Sequence, residues 1–350
     1  MSSEYFNKTH HLQHEGELMV AQKRNIPSEY AEFFQQVVGS DMPRQHADFF
    51  ANLLYFPVGT MDNQGRLWNT ILVNGNTDYI KAKSHNELLI STSLPMNDPF
   101  LKAVLGNVNL KYRYFAGVGV DFTNRRRNKV SGFIVASELN DKGKLYLRLR
   151  TNESMGNCPK YITTRNLKPC VRTPQLVVNG DKKEEKLLTF ESRDIIKRAS
   201  TMFLSSLHTS TSATDFSDMG LNHRGGHPGF TRIYDKLGEN ITYLVIPDYA
   251  GNNHFQSLGN IETGGTVGLV FPCFHTGDMV YVTGDATNLY NEKASAIMPR
   301  CSYITQIAVR SYVYIKGSLQ LALTGKEEFS PYNPPIRMLK SEGGKDITAS

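Results

Sequence analysis

The stretch from Val118 to Gly132 reads VGVDFTNRRRNKVSG, and the stretch from Val270 to Gly284 reads VFPCFHTGDMVYVTG. Laid together without a gap, they match at Val118 and Val270, Phe122 and Phe274, Val130 and Val282, and Gly132 and Gly284. Each match is commonplace alone, but their shared order marks a repeated unit. Working outward, Phe50, Leu54 and Asp62, followed by Gly65, are echoed by Phe203, Leu207 and Asp215, followed by Gly220. Phe100 with Leu105, Gly106 and Asn107 is echoed by Phe255 with Leu258, Gly259 and Asn260. Within each repeat, short β-rich runs alternate with turns. The first has Trp68 to Val73, Glu87 to Thr92, Tyr112 to Val120 and Val130 to Ala136, and the second Gly229 to Tyr234, Ile241 to Ile246, Val267 to Pro272 and Met279 to Thr283. The segments Asn140 to Gly143 and Asp235 to Gly238 carry hairpin-turn residues, because Asn and Gly tolerate positive φ. Asp98 to Asn107 and Asn253 to Ile261 are expected to be short crossing helices with Asp or Asn as N-cap.

These patterns predict a mainly β chain with flanking helices, built from two small antiparallel barrels. Residues 1–40 read as a helical, amphipathic extension, 41–178 as the first repeat, 190–329 as the second and 330–350 as a Pro- and Gly-rich tail, with the polar stretch Asn179 to Lys186 as the boundary. At 350 residues, with 40% hydrophobic and 21% charged content, the chain is long enough for two cores. No run approaches the roughly 20 apolar residues of a membrane span, and neither a secretory leader at the start nor a lipidation or peroxisomal signal at the end is recognisable, so a cytoplasmic location is expected. Cys158, Cys170, Cys273 and Cys301 form no Cys-x-x-Cys pair, which points to reduced thiols and no metal site. The net charge of +6 suits an anionic ligand. Nucleic acid is not expected, since the one dense basic run, Arg125 to Lys129, has no interleaved aromatic platforms.

The residues from Asn222 to Phe230 (NHRGGHPGF), from Ile246 to Asn252 (IPDYAGN) and from Phe255 to Asn260 (FQSLGN) closely resemble a motif series of a subgroup of pyridoxamine-5'-phosphate-oxidase-like FMN-binding proteins. The run from Thr123 to Gly132 looks like that subgroup's "T.RRRN.V.G" element, Asn157 to Ile162 like its "NCPKYI" element, and His14 to Glu17 with Gln22 like its "HEGE….Q" opening. The resemblance covers most of residues 14 to 325. It implies tandem FMN-binding split β-barrels packed as an intrachain pseudo-dimer, and an FMN-dependent oxidoreductase acting on a small molecule, with NAD(P)H as a partner. A monomer acting as its own pseudo-dimer, or a homodimer, would both satisfy the fold. The competing reading is a split barrel that holds flavin, a deazaflavin or haem without turning it over, because fold does not give function.

FMN needs cations or N–H groups for its phosphate, hydrogen bonds for the isoalloxazine edge and a flat apolar wall. Arg224, Gly225 and Gly226 can supply a guanidinium and backbone N–H groups unshielded by side chains. His223, Asn252, Asn253 and Ser257 can add hydrogen bonds, Tyr249 and Phe230 aromatic surface, and Asp248 a partner for Arg224. The resemblance makes Arg125, Arg126 and Arg127 the first repeat's contribution to the same anion. Their counterparts, Gly277, Asp278 and Met279, are not cationic, so one composite site is expected rather than two equal ones. His223 and His227 are discounted as metal ligands, since extended chain places their Cα atoms ~13 Å apart. His10 and His14 read as a solvated helix face. Cys158, between Asn157 as a potential N-cap and Pro159, would be reactive at a helix N-terminus, although a structural cysteine is the commoner outcome.

Overall fold

A computed structural model of the chain describes residues 13–27, 38–39, 41–75, 79–107, 113–180, 185–210, 217–344 and 346–347. The first sheet contains β1 (Tyr55–Met61), β2 (Leu67–Val73), β3 (Ile80–Ser84), β4 (Glu87–Ser93), β5 (Tyr114–Asp121), β6 (Arg126–Leu139) and β7 (Lys144–Asn157). Its spatial order is β2-β1-β5-β6-β7-β4-β3. After β8 (Thr164–Pro169) and β9 (Gln175–Asn179), the second sheet contains β10 (Thr201–His208), β11 (Asp218–Gly225), β12 (Arg232–Lys236), β13 (Ile241–Pro247), β14 (Thr266–Pro272), β15 (Met279–Tyr290) and β16 (Tyr303–Lys316), followed by β17 (Leu321–Glu328). Its order, β11-β10-β14-β15-β16-β13-β12, repeats the first strand for strand. The helices are α1 (Glu15–Lys23), α2 (Arg44–Ala51), α3 (Pro99–Gly106), α4 (Phe190–Arg198), α5 (Gln256–Thr263) and α6 (Asn291–Ile297). The chain thus folds as two tandem split barrels, with α2 and α3 in the first matched by α4 and α5 in the second.

The two ladders agree residue by residue where the sequences align without a gap. Val118 faces Lys129 across β5 and β6, and Val270 faces Tyr281 across β14 and β15. The next ladders, β6 with β7 and β15 with β16, then break at the same point, between Ser131 and Gly132 and between Thr283 and Gly284. A Cβ on either glycine would collide with a facing carbonyl oxygen, that of Arg150 or Ala308, so the extra residue on the opposite strand is accommodated only by glycine.

The outer echoes are not equivalent positions. Phe50 lies in α2 and Phe203 in β10, while Gly220 lies within β11 and Gly65 in the turn before β2. Asp215 lies outside the described residues, as do His10 and Tyr112. Likewise Asn107 caps the C-terminal end of α3, whereas Asn260 sits inside α5. The short periods of Phe, Leu and Gly allowed a coincident spacing that the strand ladders do not share.

Asp98 caps α3 as its pattern predicts, accepting from the Phe100 and Leu101 N–H groups at 2.9 and 3.2 Å. α5 starts differently: Phe255 is its N-cap and makes no side-chain bond, while Asn253 adopts a left-handed φ of 63°. The tail is not a free appendage, since Ser330, Ile336 and Leu339 are buried. β8 and β9 precede the second sheet in sequence but pair with β17 and β16.

Three large cores, among the described residues, hold the fold, with two smaller clusters beside them. Phe50, Phe56, Leu88 and Phe115 belong to the first barrel, and Leu204, Leu244, Phe271 and Val282 to the second. The third joins them: β2 lies across β10, β14 and β15, and β11 lies reciprocally across β5 and β6. Leu67, Ile71, Val118, Phe203, Leu221 and Val270 fill it, and each such buried side chain contributes roughly 1.5–3 kcal/mol. The equivalent Phe122 and Phe274 meet there edge to face at 5.6 Å, with the buried Arg165 guanidinium over both rings. Asn69 adds direction, donating to the Phe203 and Gly268 carbonyls at 3.2 and 2.7 Å and accepting from the Ser205 hydroxyl at 2.6 Å. Among the described residues, no helix is long and apolar enough to cross a membrane.

Candidate functional site

A cleft of about 660 Å³ opens where the start of β6 and the segment after β7 meet β11, the end of β13 and the start of α5. His223, Arg224, Gly225, Phe230, Asp248, Tyr249, Asn252, Asn253, Ser257 and Arg127 line it, from segments distant in sequence.

β11 sets the floor. His223 is buried, and its ring meets Phe203 at 5.7 Å and Phe122 at 6.2 Å. Burial, reinforced by the Arg127, Arg165 and Arg224 cations, pushes its pKa well below the usual histidine value, so the ring is neutral. Its Nε2 is buried without a hydrogen-bond partner. Arg127 donates to the His223 carbonyl at 3.2 Å, and burial draws its guanidinium down to about 10, still protonated at neutral pH. One residue on, Arg224 donates to Asp248 Oδ1 at 3.3 Å and to the Ser257 hydroxyl at 2.9 Å. Ser257 is the second residue of α5, whose N-cap supplies no side-chain acceptor, so a guanidinium and a hydroxyl converge on an uncapped helix N-terminus.

The glycines do something other than the sequence suggests. A Cβ at Gly225 would collide with the Tyr161 carbonyl oxygen, and one at Gly226 would press into the Phe230 ring. The Gly226 N–H donates to the Ser200 carbonyl at 3.2 Å. These residues therefore permit close packing of β11 against the segment after β7. The Gly226 N–H is thereby already engaged and is not an open donor. Phe230, at 2% exposure, belongs to the second barrel's core as well as bordering the cleft.

The arginine run divides. Arg125 donates to the Ile162 carbonyl at 3.0 Å, and Arg126 lies over the Phe49 ring at 4.6 Å on the outside. Arg127 alone of the three reaches the cleft: strand alternation turns Arg126 to the other face, and Arg125, before β6 at a left-handed φ of 64°, is held by Ile162. His227 faces Phe329 at 5.3 Å, away from His223's aromatic neighbours. His14 is not solvated: it is buried as the N-cap of α1. No helix begins after Cys158, although its N–H does donate to the Asn157 side chain at 2.8 Å.

Sequence reasoning missed two thirds of the lining. Tyr161, in the left-handed region at φ 67°, stacks obliquely on Tyr249 at 5.1 Å and donates to the Ala250 carbonyl at 2.7 Å. Arg24, Lys160, Arg300, Tyr303 and Arg337 complete the wall. Tyr161 and Lys160 lie inside the NCPKYI motif, which was a usable signal; Arg300 and Arg337 carry none. The titratable lining is strongly cationic: Arg24, Arg127, Lys160, Arg224, Arg300 and Arg337 stand against Asp248.

The matching corner of the other barrel has no such character. By ladder position, His223, Arg224 and Arg127 correspond to Ile71, Leu72 and Met279. All three are buried in apolar cores. A second hollow of about 640 Å³ in the first barrel is lined from β3, β4, β6 and β7 and shares no residue with either corner.

No family model matches the chain, and no curated protein matches it. Among solved structures, it is similar to HupZ of Group A Streptococcus, with 16% identity and a TM-score of 0.26 over 37% of this chain and 99% of that one. It is also similar to a protein of Lactobacillus delbrueckii described as a candidate pyridoxamine 5'-phosphate oxidase (11% identity, TM-score 0.26, 33% of this chain and 94% of that one). A third likeness is to an F420 reductase (11%, 0.22, 30% and 90%).

Proposed function

We propose that this chain is an FMN-dependent oxidoreductase of the pyridoxamine-phosphate-oxidase-like kind, with its cofactor in the cleft between the barrels. The observation that carries the reading is the concentration of six cations against one carboxylate beside an uncapped helix N-terminus. A dianionic phosphate fits that place: Arg224 and Ser257 would hold it, with Arg127 behind. Tyr161, Tyr249 and Tyr303 supply flat surface, and the buried, unpartnered His223 Nε2 and Asn222 Nδ2 are polar atoms that a ring edge would satisfy. The volume lies within the range of ligand clefts, roughly 300–1,000 Å³. A bound flavin supplies hydride and electron transfer, while the protein orients it and excludes water. The apolar content of the opposite corner supports one cofactor per chain. The shared strand order and ladder of the two sheets supports an origin by internal duplication, one chain imitating a homodimer.

The absorption spectrum of the purified protein, followed by titration with FMN and then NADPH or NADH, tests the reading. Saturable one-to-one FMN binding with repeated reduction and reoxidation is expected. A haem Soret band would overturn the cofactor, and FMN bound without nicotinamide-driven turnover would leave the protein a carrier.

A further inference from the structure

The N-terminal arm is built into the wall of the cleft, and its docking is specified in detail. His14 caps α1: the Gly16 N–H donates to its Nδ1 at 3.1 Å, and Glu17 accepts from the His14 N–H at 3.2 Å. With Nδ1 accepting, Nε2 carries the proton and donates to Asn260 Oδ1 of α5 at 2.8 Å. α1 then crosses α5 at a glycine pair: a Cβ on Gly16 would collide with the Gly259 carbonyl, and one on Gly259 would lie 2.6 Å from the Glu17 nitrogen. At the far end Lys23 pairs with Glu262 of α5. The helix stops in a Schellman motif, with Asn25 at φ 53° and the Ile26 and Asn25 N–H groups donating to Ala21 and Gln22. That ending aims Arg24 into the cleft.

The Arg24 guanidinium lies 4.3 Å over Tyr303 and 5.1 Å from the Phe255 ring centre, and donates to Asp248 Oδ2 at 2.7 Å. Asp248 therefore has two cationic partners, Arg24 and, at 3.3 Å, Arg224. The two are unequal. Arg24's side chain is 12% exposed and held by two rings, whereas Arg224's is 29% exposed and its bond to the carboxylate is longer.

We propose that Arg24 is a positioning residue of the anion subsite: by holding and neutralising Asp248, it lets Arg224 leave that carboxylate for an anionic group of the ligand. The inference rests on the reading of the cleft as a cofactor site, and it assigns a role to the HEGE opening, which delivers Arg24. Without Arg24, Asp248 retains Arg224 and repels the incoming phosphate.

A double-mutant cycle decides it. FMN and inorganic pyrophosphate are titrated separately, by calorimetry, into the full chain and into Arg24→Gln, Asp248→Asn and the double variant, with near-UV circular dichroism confirming the fold. Arg24→Gln should weaken both ligands roughly ten-fold. In the Asp248→Asn background the same change should cost less than about two-fold, because there is no carboxylate left to restrain Arg224. An equal loss in both backgrounds would mean that Arg24 acts on the ligand directly and would overturn the proposal, as would no loss in either. If pyrophosphate shows the coupling but FMN binds no variant, the flavin reading falls and the Arg24 role stands. If neither binds, both fall.

Discussion

Single residues in this protein owe their properties to what surrounds them. Arg224 meets solvent, a carboxylate and a helix start, so it is available to a ligand. Arg224→Ala should weaken FMN binding by about 1.5–3 kcal/mol, ten-fold to more than a hundred-fold, and lysine should restore part, keeping the charge but losing the planar fork. Flavin-fluorescence titration would show it. Arg127→Ala should weaken binding comparably while Arg126→Ala should not, because Arg126 lies outside the cleft; equal effects would show that the run acts as a diffuse field. Asp98 illustrates burial instead. Desolvation pushes its carboxyl up to about 6, although Thr70 and Tyr281 donate to it at 2.6 and 3.1 Å. A folded pKa above the unfolded 3.8 means that the folded state holds the proton more tightly. Its contribution is therefore full below about pH 4 and is lost as pH rises towards 6, a change on the order of 3 kcal/mol. Asp98→Asn should gain on the parent in urea midpoint across that window. A constant difference between pH 4 and 7 would mean that Asp98 is ionised throughout.

Elements here are placed by absent side chains as much as by present ones. In an exposed helix interior, Gly→Ala gains about 1 kcal/mol. Gly16→Ala should instead destabilise, because its Cβ collides with the Gly259 carbonyl and drives α1 off α5. Faster amide exchange in residues 15–23, with the barrel strands unchanged, is the expected readout; an unchanged or more stable protein would show the crossing to be looser. Gly225→Ala presents the same conflict inside the cleft. It should cost about 1–3 kcal/mol by overpacking and displace Tyr161, which shifts the absorbance of a bound flavin as well as the thermal midpoint.

The whole molecule depends on the surface where the barrels meet. Trp68, Ile71, Phe203, Leu221 and Val270 would be exposed if either half stood alone, and Asn69 would lose its acceptors Phe203 and Gly268. Because β8 and β9 pair with β17 and β16, a cut near residue 160 follows the pairing. Fragments on either side of it should aggregate or dimerise when expressed separately. A soluble monomeric half in sedimentation would show that the joint core is dispensable.

The sequence by itself determined the strand-rich character, the Asp98 cap and the gapless pairing of Val118 to Gly132 with Val270 to Gly284. All of these follow from local backbone preference or from a ladder whose registers coincide. It also pointed to most of the cleft on the second barrel, through the segments from Asn222 to Phe230 and from Ile246 to Asn260. Tertiary structure alone decided which arginine of the run turns inward, since alternation separates Arg126 from Arg127, a left-handed turn diverts Arg125, and only the packed partner says which face is the cleft. The same holds for Gly225 and Gly226, read as backbone donors for an anion, whose missing side chains make room for Tyr161 and Phe230 and whose second N–H is taken by Ser200. It holds most of all for Arg24 and Asp248, which meet 224 residues apart at 2.7 Å. Local preference sets elements, but a site made of charges from seven segments exists only where the chain closes on itself, because Coulomb attraction and desolvation act through space.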